Sequence, residues 1–323
     1  MKLYKIKRIA MAHIKKALIG FSLVLALVGC QDFFVSEATN VNIPGSEPQL
    51  VVYSFISPND TIIRVFVDRS KSYVNPHLYK PVNEKAIVKM AKIQEEFTTL
   101  TYDSESGFFV KSAKSLSIEP GNFYKLKVET PEGEKVEAEC FVPEYETISV
   151  SVEPIKVSIN EWGYKTGRVN WVIEPTPGNN ERYYRTMCYS STWLFPDDNN
   201  PDTIRGRNQP LYIERGQHLF LSSQAPAFSF RAEYWHPGAY YWYDYDTWQY
   251  IESTNGVDSV FVSVMQTDEH YFKFHKSLDN YYYYGDDFPF AEPTRIYTNV
   301  KGGLGVFAAY SRRDYYVPFE ENR

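Results

Sequence analysis

The chain has 323 residues, of which 43% are hydrophobic and 17% are aromatic, and its formal net charge is −6. Proteins that bind nucleic acids use basic surface to displace counterions from phosphates, so this acidic balance excludes that class of function. The length is sufficient for two domains of ordinary size, each with its own hydrophobic core.

The N-terminus has the pattern of a lipoprotein export signal. A basic stretch precedes an apolar run over residues 17–28 that is too short for a stable transmembrane helix. The run ends in Leu-Val-Gly-Cys at residues 27–30, where a small residue precedes a cysteine. We expect residues 1–29 to be removed and Cys30 to carry a diacylglycerol. The signal holds six of the 34 basic residues and none of the 40 acidic ones, so the mature chain has a net charge of −12.

Residues 30–48 are mostly polar or small, and the Asn, Pro and Gly among them break any regular period, which predicts a tether. Short segments rich in β-branched and aromatic residues then follow one another, which is typical of strands. They are residues 50–56, 61–67, 85–90, 96–102, 107–110, 123–129 and 135–142. Seven short strands at this spacing predict an immunoglobulin-like β-sandwich over residues 49–145.

Residues 146–323 are predicted to form a second, fibronectin-like β domain. Strand-like alternation recurs at residues 147–152, 168–174, 182–189 and 257–264. After these segments, Tyr271, Phe274, Leu278 and Tyr282 follow helical spacing, which predicts one short amphipathic helix. The predicted fold class is therefore mainly β, with two β domains and a single helix.

Beyond Cys30 the chain contains two cysteines, Cys140 and Cys188, too few for a disulfide framework. Cys140 shares one face of an alternating strand with Val136 and Val142, so a core position accounts for it. We expect two buried thiols, and a disulfide between them is left open.

The densest aromatic segment spans residues 234–250 and is predicted to be an aromatic insertion in the second domain. Tyrosine and tryptophan combine a large apolar area with a polar group, so they favour interfaces and sugar-stacking surfaces. The alternative is that alternate members fill the core. The candidate ligand- or partner-binding residues are Tyr234, Trp235, Tyr240, Tyr241, Trp242, Tyr243, Tyr245 and Trp248.

The chain lacks recognisable catalytic motifs. His270 and His275 are five residues apart, about 140° around a helix, so they cannot hold one metal as an i, i+4 pair does. Glycines 302, 303 and 305 are not followed by the Lys-Ser/Thr of a phosphate loop. A strand-like run follows them, so we expect them to allow a bulge or a close backbone approach. No catalytic residue, metal or cofactor is predicted.

Two C-terminal motifs carry a family resemblance. Pro-Phe-Ala-Glu-Pro at residues 289–293 precedes an Asn-containing strand and a Gly-Gly-Leu-Gly-Val-Phe run at 302–307. Together with the lipid signal and the β pattern, they resemble the Bacteroidota outer-membrane lipoproteins known as domain of unknown function 4249. The resemblance extends over nearly the whole mature chain. Members of that family are typically encoded near TonB-dependent receptors of the SusC-like kind, which implies a role in uptake.

These observations predict a non-enzymatic accessory protein, anchored to the outer membrane by its N-terminal lipid, with the cell surface favoured over the periplasmic face. The partner implied by the resemblance is a TonB-dependent outer-membrane barrel that takes up a nutrient. One alternative is a stand-alone surface lipoprotein that binds a carbohydrate or a peptide through the aromatic segment. Another is a surface hydrolase, which requires clustered carboxylates or a metal.

Overall fold

The computed structural model describes residues 47–72, 77, 79–82, 84–145, 148–161, 165–176, 181–194, 205–213, 218–236, 239–244, 249–254, 259–284 and 295–320. The chain divides into the units Met1–Glu47 and Pro48–Arg323, and all elements below belong to the second. The predicted signal peptide, Cys30 and nearly all of the tether lie outside the described residues. In the described ranges no helix is long and apolar enough to cross a membrane.

The strands of the first half follow the predicted segments closely. They are β1 (Leu50–Ile56), β2 (Ile62–Arg69), β3 (Ile87–Lys92), β4 (Thr98–Thr99), β5 (Thr101–Asp103), β6 (Phe108–Ser112), β7 (Phe123–Glu129) and β8 (Lys135–Phe141). The segment predicted as one strand over 96–102 is divided, because β4 pairs with β3 whereas β5 pairs with β6 in a different sheet. The chain crosses between the sheets at Leu100, whose side chain is buried in the core between them.

The two sheets of the first half enclose one hydrophobic core. Strands β4, β3, β7 and β8 form one sheet, and β1, β2, β6 and β5 lie side by side in the other. Alternate residues of both sheets are buried together, among them Val52, Val65 and Leu126. Buried Tyr124 satisfies its hydroxyl by donating to the Ser117 carbonyl at 2.9 Å. Two facing sheets around a shared core fit the predicted sandwich.

The second half contains further strands and a second core. The strands are β9 (Ser149–Val152), β10 (Ser158–Ile159), β11 (Lys165–Glu174), β12 (Tyr183–Leu194), β13 (Arg205–Leu211), β14 (Leu219–Leu221), β15 (Phe228–His236), β16 (Ala239–Asp244), β17 (Gln249–Thr254) and β18 (Ser259–Thr267). Trp171 of β11 is 1% exposed and stacks on Phe230 of β15 with ring centroids 5.5 Å apart. Its Nε1 donates to Oγ1 of Thr186 at 3.0 Å, so the indole is fully paired in this core.

Helix α1 (Glu269–Tyr284) confirms the single predicted helix. Tyr271 and Phe274 are buried, and they pack against Val306 and Ala308 of the last strand, β19 (Leu304–Val317). Tyr282 also follows the predicted helical spacing, but it is 71% exposed, because the helix extends beyond the sheet surface that covers its earlier turns.

Strand β19 joins the two halves of the fold. It pairs in parallel with β1 and antiparallel with β18, at the centre of a nine-stranded sheet. The core of the first half consequently contains Phe307 and Ala309 from the far end of the chain. The boundary predicted between residues 145 and 146 stays a prediction. The structure adds that the segments on its two sides share one sheet and form a single compact unit.

The glycines near the start of β19 allow the close backbone approach predicted from the sequence. Gly305 lies opposite Val52 and has a φ of +107°, a conformation that side chains with a Cβ rarely adopt. A Cβ at Gly305 would lie 2.0 Å from the Val52 carbonyl oxygen. A Cβ at Gly303 would lie 2.6 Å from the Leu50 carbonyl oxygen. Only glycine fits at this crossing of the first and last strands.

We predict that Gly305→Ala lowers the free energy of unfolding by about 3 kcal/mol or more, or prevents folding, because the new methyl group collides with backbone. Gly107→Ala is the matched control, since Gly107 also has a positive φ of 73°, but a Cβ added there would have no neighbouring atom within 4 Å. That control should lose only about 1 kcal/mol, the conformational penalty alone. Urea denaturation followed by circular dichroism measures both, and equal losses would contradict the steric argument.

Candidate functional site

A cleft of about 540 Å³ lies where four segments of the fold meet. Its walls come from the start of β7, the end of β8 with the residues after it, the start of β12, and the junction between β18 and α1. Antiparallel pairing places Tyr183 of β12 opposite Thr267 of β18. The backbone N–H of Asp268 donates to the Ala309 carbonyl of β19 at 3.0 Å, which fixes the junction against the central sheet.

One wall of the cleft is aromatic. Phe123 and Phe141 lie opposite each other in β7 and β8, with ring centroids 4.8 Å apart and planes tilted by 48°. Phe123 is 53% exposed, so much of its ring is open to solvent. Pro143 is buried beside them. This wall offers an apolar surface to a ligand.

The floor of the cleft is polar and buried. Thr267 is 3% exposed and Asp268 is 5% exposed, and both line the cleft. Within the described part of the chain, Oγ1 of Thr267 and Oδ2 of Asp268 have no hydrogen-bond partner. Buried polar atoms are nearly always paired, so these two unpaired oxygens, on consecutive residues, leave capacity for a further group at the floor.

Asp268 also begins helix α1. Its Oδ1 accepts a hydrogen bond from the Tyr271 N–H at 2.7 Å, the usual role of an aspartate at a helix N-cap. Burial raises the pKa of the Asp268 carboxyl to about 7, although the backbone N–H groups of Tyr271, Ala309 and Phe141 act in the opposite direction. The carboxyl therefore titrates near neutral pH.

The first turn of α1 supplies two further titratable groups. Glu269 forms an ion pair with Lys273 at 2.7 Å, and this partner lowers the pKa of the carboxyl. Nδ1 of His270 lies 2.8 Å from the Tyr297 hydroxyl. Burial lowers the pKa of His270, so its imidazole is neutral at pH 7 and adds no positive charge to the cleft.

Carboxylates outnumber cationic groups along the rest of the cleft. Glu139 is held by Lys125 at 3.1 Å, and Glu181 accepts a hydrogen bond from the Ser223 hydroxyl at 2.6 Å. Glu144 is exposed and has no ion pair within the described residues. Arg182 is the one arginine or lysine that lines the cleft among those residues, and its guanidinium donates to the Thr176 carbonyl at 2.9 Å. The cleft is therefore acidic.

The cysteine that lines the cleft is not a reactive one. Cys140 lines it, but burial and the nearby Asp268 carboxylate raise the pKa of the thiol well above its ordinary value, so a reactive thiolate is not formed. Cys188 is likewise buried, and both cysteines are free, which confirms the expectation of two buried thiols. No three His, Cys, Asp or Glu side chains are grouped to hold a metal ion in the described ranges.

The two histidines of α1 have separate surroundings, in agreement with their spacing. His275 stacks on Phe55 with centroids 5.5 Å apart, and its ring nitrogens lie 3.2 and 3.3 Å from a guanidinium nitrogen of Arg185. Burial, with the charge of Arg185, lowers the pKa of His275 to about 3. It is a packed, neutral histidine on the side of the helix that faces β1.

Most of the predicted aromatic insertion belongs to strands whose side chains are not described. Tyr234 is 3% exposed in the second core, where it meets Phe319 edge-on, and it lines a separate polar cleft of about 590 Å³. Its ring therefore offers little surface to a partner. Trp235 lies in β15, and β16 pairs with β17 as a two-stranded sheet. The candidates in β16 are Tyr240, Tyr241, Trp242 and Tyr243, whereas Tyr245 and Trp248 lie outside the described residues.

Comparison with known families matches residues 37–315 to the family described as "Domain of unknown function (DUF4249)". The chain belongs to the DUF4249 family. No curated protein matches this DUF4249 chain. Among solved structures, a cryo-EM structure of Escherichia coli alpha-2-macroglobulin in its native conformation matches with 11% identity and a TM-score of 0.23. That match covers 70% of the DUF4249 chain and 17% of the alpha-2-macroglobulin chain.

Sequence reasoning did not find the cleft of this DUF4249 protein, because its residues come from four separate segments spread over residues 123–270. Phe123 has the pattern of an ordinary strand residue, and Asp268 lies just before the predicted helix without an assigned role. A local signal for Asp268 was present, since an aspartate immediately before an apolar periodic run is typical of an N-cap. Its burial depends on β19 and on β8, and no local pattern contains that information.

We predict that Asp268→Asn gains stability relative to the wild type as the pH rises from 4 to 8. The folded state raises the pKa of Asp268 from an ordinary value near 4 to about 7, so the wild type loses stability across that interval. Asparagine keeps the N-cap and cannot ionise. The variant should gain about 2 to 4 kcal/mol relative to the wild type between those pH values.

Urea denaturation at pH 4.5, 6 and 8 measures this difference. Asp103→Asn is the control, because hydrogen bonds from Ser106 and the Glu105 N–H lower the pKa of that exposed carboxyl. The Asp103→Asn control should gain no stability relative to the wild type as the pH rises. A constant difference between Asp268→Asn and the wild type at all three pH values would show that the carboxyl is not buried as described.

Proposed function

We propose that this DUF4249 protein is a non-enzymatic outer-membrane lipoprotein, anchored through Cys30 and facing the cell surface, that assists a TonB-dependent, SusC-like barrel in nutrient uptake. The observation that carries the proposal is the signal over residues 1–29 with Leu-Val-Gly-Cys at its end. Buried acyl chains contribute about 0.8 kcal/mol per methylene, so a doubly acylated cysteine gives durable membrane attachment.

Two further features support a partner in the membrane. Family membership agrees with the resemblance to lipoproteins encoded near TonB-dependent receptors. The acidic mature chain and its high aromatic content suit an interface in which tyrosine and tryptophan residues dominate the binding energy. The barrel partner and the surface location are proposed on these grounds.

Replacing Cys30 by serine should abolish both lipid labelling and stable membrane attachment, because serine lacks the thiol that accepts the diacylglycerol. Cells fed an alkyne-tagged fatty acid provide the readout, with the membrane and soluble fractions analysed separately. Cys188→Ala is the control, since it removes a thiol from the buried core and should leave the labelling intact. Labelling that persists in Cys30→Ser would contradict the proposed anchor.

The tagged, lipidated protein, purified from its native membrane in mild detergent, should bring a TonB-dependent barrel with it in near-stoichiometric amount. Mass spectrometry identifies the copurified proteins, and an unrelated outer-membrane lipoprotein carrying the same tag provides the background. Absence of a barrel, under conditions in which another lipoprotein–barrel complex survives, would overturn the proposed partnership and leave the anchor standing.

The aromatic insertion is proposed to contribute to that interface. Trp242→Ala with Trp248→Ala should weaken barrel or ligand binding by about tenfold or more and leave the melting temperature nearly unchanged. Trp171→Ala is the contrasting control, because Trp171 is buried and should lose about 3 to 5 kcal/mol of stability. Loss of folding in the double variant would place these two tryptophans in a core instead.

A second candidate function is the binding of a small ligand or a peptide by the fold itself. The cleft favours it, because an aromatic pair with one exposed ring, that of Phe123, lies beside a buried polar floor with unpaired oxygens. Ligand sites commonly combine an apolar wall with a few polar groups that fix orientation. This role is compatible with either a barrel partner or an independent surface lipoprotein.

A further inference from the structure

The cleft has a distinct arrangement of charge along its length. At its outer edge, Glu144 and Glu181 flank the opening, and neither has an ion pair within the described residues. At its floor, Asp268 adds a third carboxyl that titrates near neutral pH. Arg182 is a single cation among these carboxyl groups, so it offsets their charge only in part. At neutral pH a cation entering the cleft therefore meets ionised glutamates at the outer edge and a partly ionised aspartate at the floor.

The unpaired oxygens at the floor of the cleft also favour a ligand that donates hydrogen bonds. Oγ1 of Thr267 and Oδ2 of Asp268 can both accept hydrogen bonds, and neither accepts one of good geometry within the described residues, although the Ala309 and Phe141 N–H groups lie close enough to the carboxyl to lower its pKa. An ammonium or guanidinium group carries several N–H donors and no acceptor, so it suits oxygens that lack a donor. It would also compensate the buried carboxylate, which is costly when left alone.

The aromatic wall specifies the rest of the ligand. Phe123 and Phe141 form an apolar surface, and the exposed half of Phe123 is available for contact. Aromatic faces attract cations as well as apolar groups, so both parts of a mixed ligand gain there. A cleft of about 540 Å³ accommodates an aliphatic or aromatic body with one charged head.

We infer that the cleft binds an organic cation, in which a primary amine or guanidinium group is joined to an apolar body. The cationic head contacts Thr267 and Asp268, and the body lies against Phe123 and Phe141. This inference rests on ligand binding by the cleft, the second candidate function above, and is independent of the barrel and the lipid anchor. A free amine and a lysine or arginine side chain of a peptide share this chemistry.

The opposite class of ligand is disfavoured. The N-terminus of α1 opens at the cleft, and a helix N-terminus alone attracts anions. Here Asp268 and Glu269 already occupy that end, and Oδ1 of Asp268 accepts the Tyr271 N–H. An anionic ligand would therefore meet carboxylates where it needs donors. The local charge favours the cation.

Isothermal titration calorimetry of the mature lipidated protein in nanodiscs tests the inference, with empty nanodiscs as the blank for partitioning into lipid. The probes are 4-phenylbutylamine, its neutral isostere 4-phenylbutanol, and the anion 4-phenylbutyrate. The amine should bind at least about tenfold more tightly than the alcohol, and the carboxylate should bind most weakly. The blocked dipeptide N-acetyl-phenylalanyl-lysine amide is the second cationic source, and its affinity relative to the amine distinguishes a peptide from a free amine.

Variants assign any binding to the cleft. Phe123→Ala should weaken both the amine and the alcohol by about fivefold, because it removes the exposed wall common to both. Glu144→Gln with Glu181→Gln, or Asp268→Asn alone, should reduce the preference for the amine over the alcohol by about fivefold. Glu105→Gln with Glu161→Gln is the matched control, since both glutamates are exposed and lie outside the cleft. That control should leave all affinities unchanged.

The outcomes distinguish two questions: whether the cleft binds a ligand at all, and whether that ligand must be a cation. Equal affinities for the amine and the alcohol, both weakened by Phe123→Ala, would overturn the cationic class and leave ligand binding by the cleft standing. No binding of any probe below about 10 mM, or binding that no cleft variant changes, would overturn both. A preference for the amine that the double glutamine variant removes supports the inference.

Discussion

The fold depends on a contact between the first and the last strand that only glycine permits. Gly305 places its backbone so close to the Val52 carbonyl that a Cβ would lie 2.0 Å from the oxygen. Strand β19 can therefore lie parallel to β1 at the centre of the large sheet. Further long-range contacts depend on this position, because β19 also pairs with β18 and supports helix α1.

The position of the cleft follows from the same strand. Asp268 is held at the junction of β18 and α1 through its N–H to the Ala309 carbonyl of β19. On the other side, Lys301 pairs with Glu137 of β8 through reciprocal backbone hydrogen bonds of 2.8 and 3.1 Å. The segment that leads into β19 therefore positions β8 and the α1 junction relative to one another. A site built from distant segments thus acquires a defined shape.

Local sequence patterns predicted the bounds of the strands well, but they did not predict which strands pair with one another. Alternation located β1, β7 and β8 almost residue for residue, and the glycines at the start of β19 were correctly interpreted as a close backbone approach. A strand's hydrophobic face does not identify the strand beside it, so the pairing of β19 with β1 had no local signal. The predicted strand over 96–102 was divided for the same reason, since Leu100 changes sheets. The cleft depends on these pairings, so it was not predicted.

Contact between the two ends of the folded unit also determines when the protein can complete its fold. Val52 cannot pair with Gly305 until that glycine has been synthesised. The first core therefore lacks Phe307 and Ala309 until nearly the whole chain has left the ribosome. Closing a loop of that length costs about 5 kcal/mol of chain entropy before the pairing contributes any stability. Such high contact order favours slow folding, and the open edge of β1 is exposed to other strands throughout. The chain therefore depends on protection from aggregation until β19 has been synthesised and has paired with β1.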